Sequence, residues 1–444
     1  MLLGIDIGTS KVAAVVCDTR GRLLARAARL HAADRPAAPG RSEQDVEALL
    51  AVAEDTVRDL PDKLRRGIAA VGVTGQMHGV LMADAEGRAA APLVTWQDGR
   101  CGEDPAFLET LRERTGYALR TGYGCATLTW LQAHGALPDR AASAATIHDL
   151  LSARLVGCTR PVTDPTDAAG WGLFDRASRE WDLSAVQGAG FASSLLPAVV
   201  DSGRCIGRLT GDMAAALGLP GGVPVAAAIG DNQASLLATL DYPQTEAALT
   251  LGTGGQLSVV LPATAAVPDC ATCEARPFPG GRTALVAASL CGGSAWAWLA
   301  ETVGSWLREL DREALAPDAL YARLNALGQA APDGPTVHPH FLGERHAPGL
   351  TGAIDGLTPD ALSLGTLARA LARGIVANLR DMLPAGALRG RQRLVGSGNA
   401  LRRNALLRDM AEQVFGLPLA LSEGAEEAAR GAALNAAPLA ADAP

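Results

Sequence analysis

An α/β fold with mixed sheets, made by doubling one unit, is what this sequence predicts. Two observations carry that prediction. A phrase occurs twice: DIGTSKVAAVV from Asp6 and TLGTGGQLSVV from Thr250. Both place a Gly-Thr pair two residues in, at Gly8-Thr9 and Gly252-Thr253, followed by small or polar residues and a β-branched apolar tail. Internal similarity of this kind marks a repeated unit. Strand-like and helix-like runs also alternate through each half, the pattern of layered α/β architecture.

The first half opens with LLGIDIG and KVAAVVCD, two apolar runs with strand character, and GRLLARAARL continues as a third strand after the Arg20-Gly21 turn. Glu43 to Asp59 spaces its apolar residues as a helix does, and AAVGVTG reads as a buried strand. VPVAAAIG is a further strand, closed by Asp231 and followed by a helix. From Ala247 the series restarts with ALTLGTGG, QLSVVLP and TALVAASL, then a helix from about Ser294. LVGSGNALRRNALLRDMAEQVFG, from Leu394, reads as strand, glycine turn and amphipathic helix. The halves meet near Asp241-Tyr242-Pro243, giving domains over 1–243 and 244–436. An Ala-rich tail over 437–444 is expected to fray.

With 444 residues, 48% of them hydrophobic and 19% charged, the chain has core material for two or three domains. A net charge of -8 and a pI near 5.5 argue against nucleic acid and anionic membrane as partners, since both want a basic face. Lys11 and Lys63 are the two lysines, so almost all basic residues are Arg. The eight cysteines have no framework spacing, and Cys270-Ala-Thr-Cys273 lacks the second pair a zinc site needs. Reduced thiols in a cytoplasmic protein are expected. The N-terminus lacks the basic and apolar regions of a secretion signal. Thr283 to Ala300 carries no charge, but Gly292-Gly293-Ser294 breaks it into strand, turn and helix start rather than a membrane span.

Glycine turns between strands let backbone N–H groups surround an anion, because no Cβ blocks the approach. Thr9, Ser10 and Thr253 add hydroxyls, so the two copies together suit a polyphosphate. Asp6 beside the first turn would repel that anion unless Mg²⁺ lay between them. Lys11 is either a phosphate partner or a surface strand residue. The pattern is neither a Walker loop nor a dinucleotide fingerprint, since GxxxxGK[ST] and a helix-opening GxGxxG are both absent. Gly396-Ser397-Gly398-Asn399 would let a flat adenine approach backbone, or is an ordinary strand-to-helix turn. Asp231 stands at the carboxyl end of a strand, where open α/β sheets bind ligands. It is also a favoured helix N-cap type, and the two roles can share one position.

DIGTS, GQMHG, GDNQAS, LTLGTGG, FLGER followed by GL, and LVGSGNAL stand in an order and spacing that resemble the FGGY carbohydrate kinases, over essentially the whole chain. The resemblance implies two ribonuclease-H-like, actin-like ATPase domains with ATP in the interdomain cleft and Mg²⁺ as cofactor. It implies a first phosphate loop of Asp6, Gly8, Thr9, Ser10 and Lys11, and a second of Gly252, Thr253 and Gly254. Gly396, Gly398, Asn399 and Asn404 would meet the adenosine. Asp231 would be the catalytic base, sharing the metal with Asp6 and the sugar with Asn232. Domain closure is expected to hinge near Asp241 to Thr245 and in the last helices.

The sugar residues implied are Gln76, Met77 and His78 of GQMHG with Trp96 and Asp98 of TWQDGR. A Trp face stacks on the apolar side of a sugar, and the polar groups meet hydroxyls. Met77-His78 stands where glycerol kinases carry Arg-Glu, which disfavours glycerol. QMHG resembles ketose kinases, while TWQDGRC and GYGCATLTWL resemble the sedoheptulokinases. His148-Asp149 where xylulokinases read Lys-Asp, and Trp171 in TDPTDAAGWGLFD, weaken a pentulose assignment. A small-molecule ketose, sedoheptulose first and xylulose second, is therefore the expected partner, with a homodimer left open. A non-catalytic sugar sensor and a chaperone-like ATPase fit less well, because Asp231 and the sugar motifs are all present.

Overall fold

The computed structural model describes residues 1–313, 315–422 and 424–441, so the last three residues of the expected tail, 442–444, lie outside the described residues. The chain forms two compact units. One comprises Met1–Thr239, Pro277–Gly281 and Gly424–Pro444; the other comprises Leu240–Arg276 and Arg282–Glu423. The segment from Gly424 thus belongs to the first unit, whereas the reading by chain order left 244–436 together.

The first unit begins with β1 (Leu2–Ile7), β2 (Lys11–Cys17) and β3 (Leu23–Leu30), an antiparallel series. Helix α1 (Val46–Arg58) is capped by Asp45, whose side chain accepts from Ala48 N–H. Then comes β4 (Ala70–Gly75), parallel to β1. Helices α2 (Ile147–Val156) and α3 (Pro165–Trp171) follow, then β5 (Cys205–Arg208), β6 (Pro224–Ala226), the two-residue β7 (Ile229–Gly230) and α4 (Asp231–Thr239). The sheet order is β5-β6-β4-β1-β2-β3, with β7 also pairing with β4. β1 and β4 are apolar on both faces because both faces are covered.

The second unit repeats the plan. β8 (Glu246–Leu251) and β9 (Gly255–Leu261) are antiparallel; β10 (Glu274–Phe278) and β11 (Arg282–Ser289) extend that side. Helices α5 (Gly293–Glu309) and α6 (Leu364–Met382) follow, then β12 (Arg393–Ser397), parallel to β8. The expected amphipathic helix after Gly398 is two helices, α7 (Asn399–Arg403) and α8 (Ala405–Phe415), because Asn404 leaves helical geometry and caps α8. After β13 (Leu419–Leu421), the sheet order is β10-β11-β9-β8-β12-β13. The doubled phrase is thus the same hairpin twice: β1–β2 and β8–β9, each with a parallel neighbour on its other side. The uncharged stretch Thr283 to Ala300 is β11 and the start of α5. No helix among the described residues is long and apolar enough to cross a membrane.

The chain ends with α9 (Glu427–Asn435) and α10 (Ala437–Ala441). The expected fraying does not hold here: Ala436 is fully buried, and Ala437, Leu439 and Ala440 pack on the apolar cluster that includes Leu2, Val15 and Ala226. Helix α9 lies on the sheet at backbone distance. A Cβ added to Gly4 would stand 1.8 Å from the Ala429 carbonyl oxygen, and one on Gly72 would stand 1.8 Å from that of Ala432.

Candidate active site

In the first unit, β1 and β2 are joined by Gly8-Thr9-Ser10, closed by Gly8 N–H donating to the Lys11 carbonyl at 3.0 Å. The loop carbonyls are tied inward. His31 Nε2 meets the Gly8 oxygen at 3.2 Å, Gln44 Nε2 donates to the Thr9 oxygen at 2.8 Å, and His31 N–H donates to the Ser10 oxygen at 3.2 Å. In a trans peptide the N–H points opposite to its carbonyl, so the Thr9 and Ser10 amides face away from these anchors. Two successive amides turned the same way can receive an anion.

The second loop, Gly252-Thr253-Gly254, is built by the same device with other parts. Gly293 N–H donates to the Gly252 oxygen at 2.7 Å. Gly292 and Ser294 N–H both donate to the Thr253 oxygen at 3.0 Å. The start of α5 therefore holds the carbonyls, and the Thr253 and Gly254 amides face the other way. Only glycine permits this: a Cβ on Gly292 would sit 2.2 Å from the Gly254 oxygen, and one on Gly293 2.5 Å from the Gly252 oxygen. CGGS, a turn by its sequence, also braces the loop, which its local composition does not signal. Gly398 joins the same neighbourhood with φ of 93°, where an added Cβ would stand 2.3 Å from the Leu251 oxygen, while Ser397 Oγ and Thr250 Oγ1 are 2.8 Å apart. Gly396 has a different reason to be glycine, since its bare side faces Leu401, Leu419 and Leu421 rather than an open face. Asn399 begins α7. Asn404 caps α8 through Leu407 N–H at 2.9 Å, and its buried Nδ2 has no partner among the described residues.

Asp231 opens α4 as its first residue, with half-buried Asn232 next. Its charge reaches Asp6, whose carboxyl is pushed up to about 7 by burial, then by Asp231 and Glu426, with Lys11 opposing. One Asp6 oxygen, Oδ1, is buried with no partner among the described residues. Lys11 is already engaged, its ammonium held by both Glu426 oxygens at 2.9 and 2.7 Å. Glu426, 415 positions away, was not singled out from sequence and carries a left-handed φ of 56°.

The GQMHG residues gather beside Asp231. Gly230 is bare against Met77, where a Cβ would meet the thioether sulfur at 2.7 Å. His78 has φ of 72°, stacks on Tyr123 with centroids 4.7 Å apart, and its Nδ1 lies 2.6 Å from the Gly170 oxygen. That contact requires a proton on Nδ1, which makes Nε2 of the neutral ring an acceptor. Gln76 Nε2 donates to Gln44 Oε1 at 2.8 Å, linking it through Gln44 to the first loop, while its own buried Oε1 has no partner among the described residues. Trp96 is 46% exposed and its Nε1 donates to Thr9 Oγ1 at 2.9 Å, which ties it to the first loop. Asp98 departs from its expected role. It is 1% exposed, and its oxygens accept from Arg100 N–H, Nε and Nη2 and from Ser42 N–H at 2.7–3.0 Å. Its lone pairs hold the turn that carries Trp96 and leave little for a sugar.

Residues 1–238 match the N-terminal domain of the FGGY family of carbohydrate kinases, and residues 247–440 match its C-terminal domain. The chain is 36% identical to the sedoheptulokinase of Homo sapiens over 470 aligned residues, covering 97% of this chain and 96% of that one. It is 29% identical to the xylulose kinase of Escherichia coli (strain K12), covering 99% and 89%. The solved xylulose kinase from Rhodospirillum rubrum superimposes with a TM-score of 0.84 at 27% identity, over 98% of this chain and 89% of that chain.

Proposed function

The chain belongs to the FGGY family of carbohydrate kinases, and we propose that it transfers the γ-phosphoryl group of ATP to sedoheptulose, giving sedoheptulose 7-phosphate. The observation that carries the choice of sugar is the greater identity to the human sedoheptulokinase than to a xylulose kinase, each over almost the full length. D-xylulose is the second reading, favoured by the close backbone match to a solved xylulose kinase.

Asp231 accepts the proton of the attacking hydroxyl as its oxygen approaches the γ-phosphorus in line. Met77 and His78 border Asp231 and orient the ketose, with Trp96 offering a stacking face and Gln76 and Asn232 polar partners. The amides of Thr9, Ser10, Thr253 and Gly254 hold phosphate oxygens, and Gly398, Asn399 and Asn404 border the adenosine. Lys11 reaches a phosphate only by leaving Glu426. The unpartnered Asp6 oxygen, in a carboxyl crowded by Asp231 and Glu426, fits a divalent cation. Asp6 and Asp231 would hold Mg²⁺ there, and it would supply charge neutralisation for the phosphates. The site of action is the cytoplasm.

The test is a coupled assay of ADP release with sedoheptulose, D-xylulose, D-ribulose and glycerol at matched concentrations. Sedoheptulose is expected to give the highest kcat/KM; a higher value for D-xylulose would install the second reading. Asp231→Asn is expected to keep nucleotide binding and lose about 10²- to 10⁴-fold in turnover. Parental turnover in that variant would end the assignment.

A further inference from the structure

The Ile229–Gly230 peptide, one residue before Asp231, is gripped at both poles by buried hydroxyls. β7 is only two residues long and separated from β6, so its backbone pairing is confined to β4, at Ile229 with Thr74 and Gly230 with Gly75, and side chains add to that short ladder. Its carbonyl accepts from Thr74 Oγ1 at 2.5 Å, and its N–H donates to Thr166 Oγ1 at 2.9 Å. Thr74 and Thr166 are at most 1% exposed. The direction of each bond is fixed. Thr166 has one hydroxyl proton, and it goes to Asp164 Oδ1 at 2.6 Å, which turns an oxygen lone pair toward Gly230. Asp164 is held in turn by Ser202 Oγ on its other oxygen and by the Thr166 and Asp167 amides, at 2.9 and 3.2 Å, whose helix it caps. The far end of α3 presents the Gly170 oxygen to His78. One seven-residue helix therefore fixes the backbone next to Asp231 at its start and a sugar-side imidazole at its end.

We propose that Thr166, aligned by Asp164 and opposed by Thr74, is a positioning residue that sets where the Asp231 carboxylate stands for proton acceptance. The proposal rests on the assignment of Asp231 as base. A valine at 166 keeps the shape of the side chain and removes the acceptor, so Gly230 N–H loses that partner and the peptide is held only by Thr74 and the two-residue pairing with β4. Misplacement of a catalytic group by about 1 Å costs on the order of 10²-fold.

The experiment compares T166V, T166S and D231N by steady-state kinetics with the preferred ketose, alongside thermal melting of each. T166V is expected to lose about 10- to 100-fold in kcat, with the KM values for ATP and sugar within about threefold of the parent. T166S is expected to restore kcat because it keeps the hydroxyl. If D231N is inactive while T166V turns over normally, the clamp is overturned and the base assignment stands. If D231N turns over normally, both fall. If T166V loses kcat but T166S does so equally, the effect is not the hydroxyl's and the proposal fails. Should T166V not fold, T74V removes the opposite bond from the same peptide and is read in the same way, with T74S as its rescue.

Discussion

Gly431 is the position where one methyl group should do most damage. It lies on α9, and a Cβ there would stand 1.7 Å from the carbonyl oxygen of Ala234 and 2.3 Å from its carbon. Ordinary contact begins at 3.4 Å, so α9 and α4 must separate by about half that distance. The clashing atoms are backbone, which cannot swing aside. On its other side α9 is pinned against Gly4 and Gly72, so α4 is the element that must yield. Overpacking of this kind costs about 1–3 kcal/mol, and the rigid contact argues for the upper end. For a unit of this size, that lowers Tm by about 6–12 °C. Ala234 is three residues beyond Asp231 on the same helix, so the proposed base moves too. A shift on the order of 1 Å predicts a kcat loss of about 10²-fold. The assay pairs thermal melting with the coupled kinase assay, using Gly211→Ala as control. A Cβ at Gly211 meets nothing within 4 Å, so its replacement should be neutral or slightly stabilising. A Gly431→Ala protein with parental melting and parental kcat would refute the backbone-contact reasoning.

Two further outcomes follow from buried charge. Asp98→Asn leaves the nearly buried Arg100 with Glu43 as its remaining acidic partner, so melting should fall by the equivalent of about 3–5 kcal/mol, while ketose KM changes far less than a lost sugar contact would require. A large KM rise with unchanged melting would return Asp98 to the sugar. Asp149 is buried, and that burial pushes its carboxyl up to about 7 from 3.8. The folded state thus keeps a proton that the unfolded chain gives up between those values. The contribution of Asp149 to stability falls as pH rises through that window. Asp149→Asn should flatten the decline in a pH series of melts; an unchanged slope would contradict it.

The sequence by itself determined the parts that depend on neighbours along the chain. Apolar runs made the central strands β1, β2 and β4 legible because they are buried on both faces. The doubled Gly-Thr phrase announced two copies of one hairpin because each turn and its flanking strands are written in consecutive residues. The family resemblance located Asp231, which the fold places as the first residue of a helix. Tertiary structure decided what depends on residues far apart in the chain. Glu426 engages Lys11, Thr166 and Thr74 clamp one peptide, Gly292 and Gly293 brace the second loop, and Asp98 accepts from Ser42 N–H. The last helix returns to the first unit, against the expectation of a frayed end, because Gly4, Gly72 and Gly431 leave it room at backbone distance. Periodicity reports which face of an element is buried. It carries no information about which distant hydroxyl, carboxylate or bare glycine will meet that face, and those meetings fix the position of the chemistry.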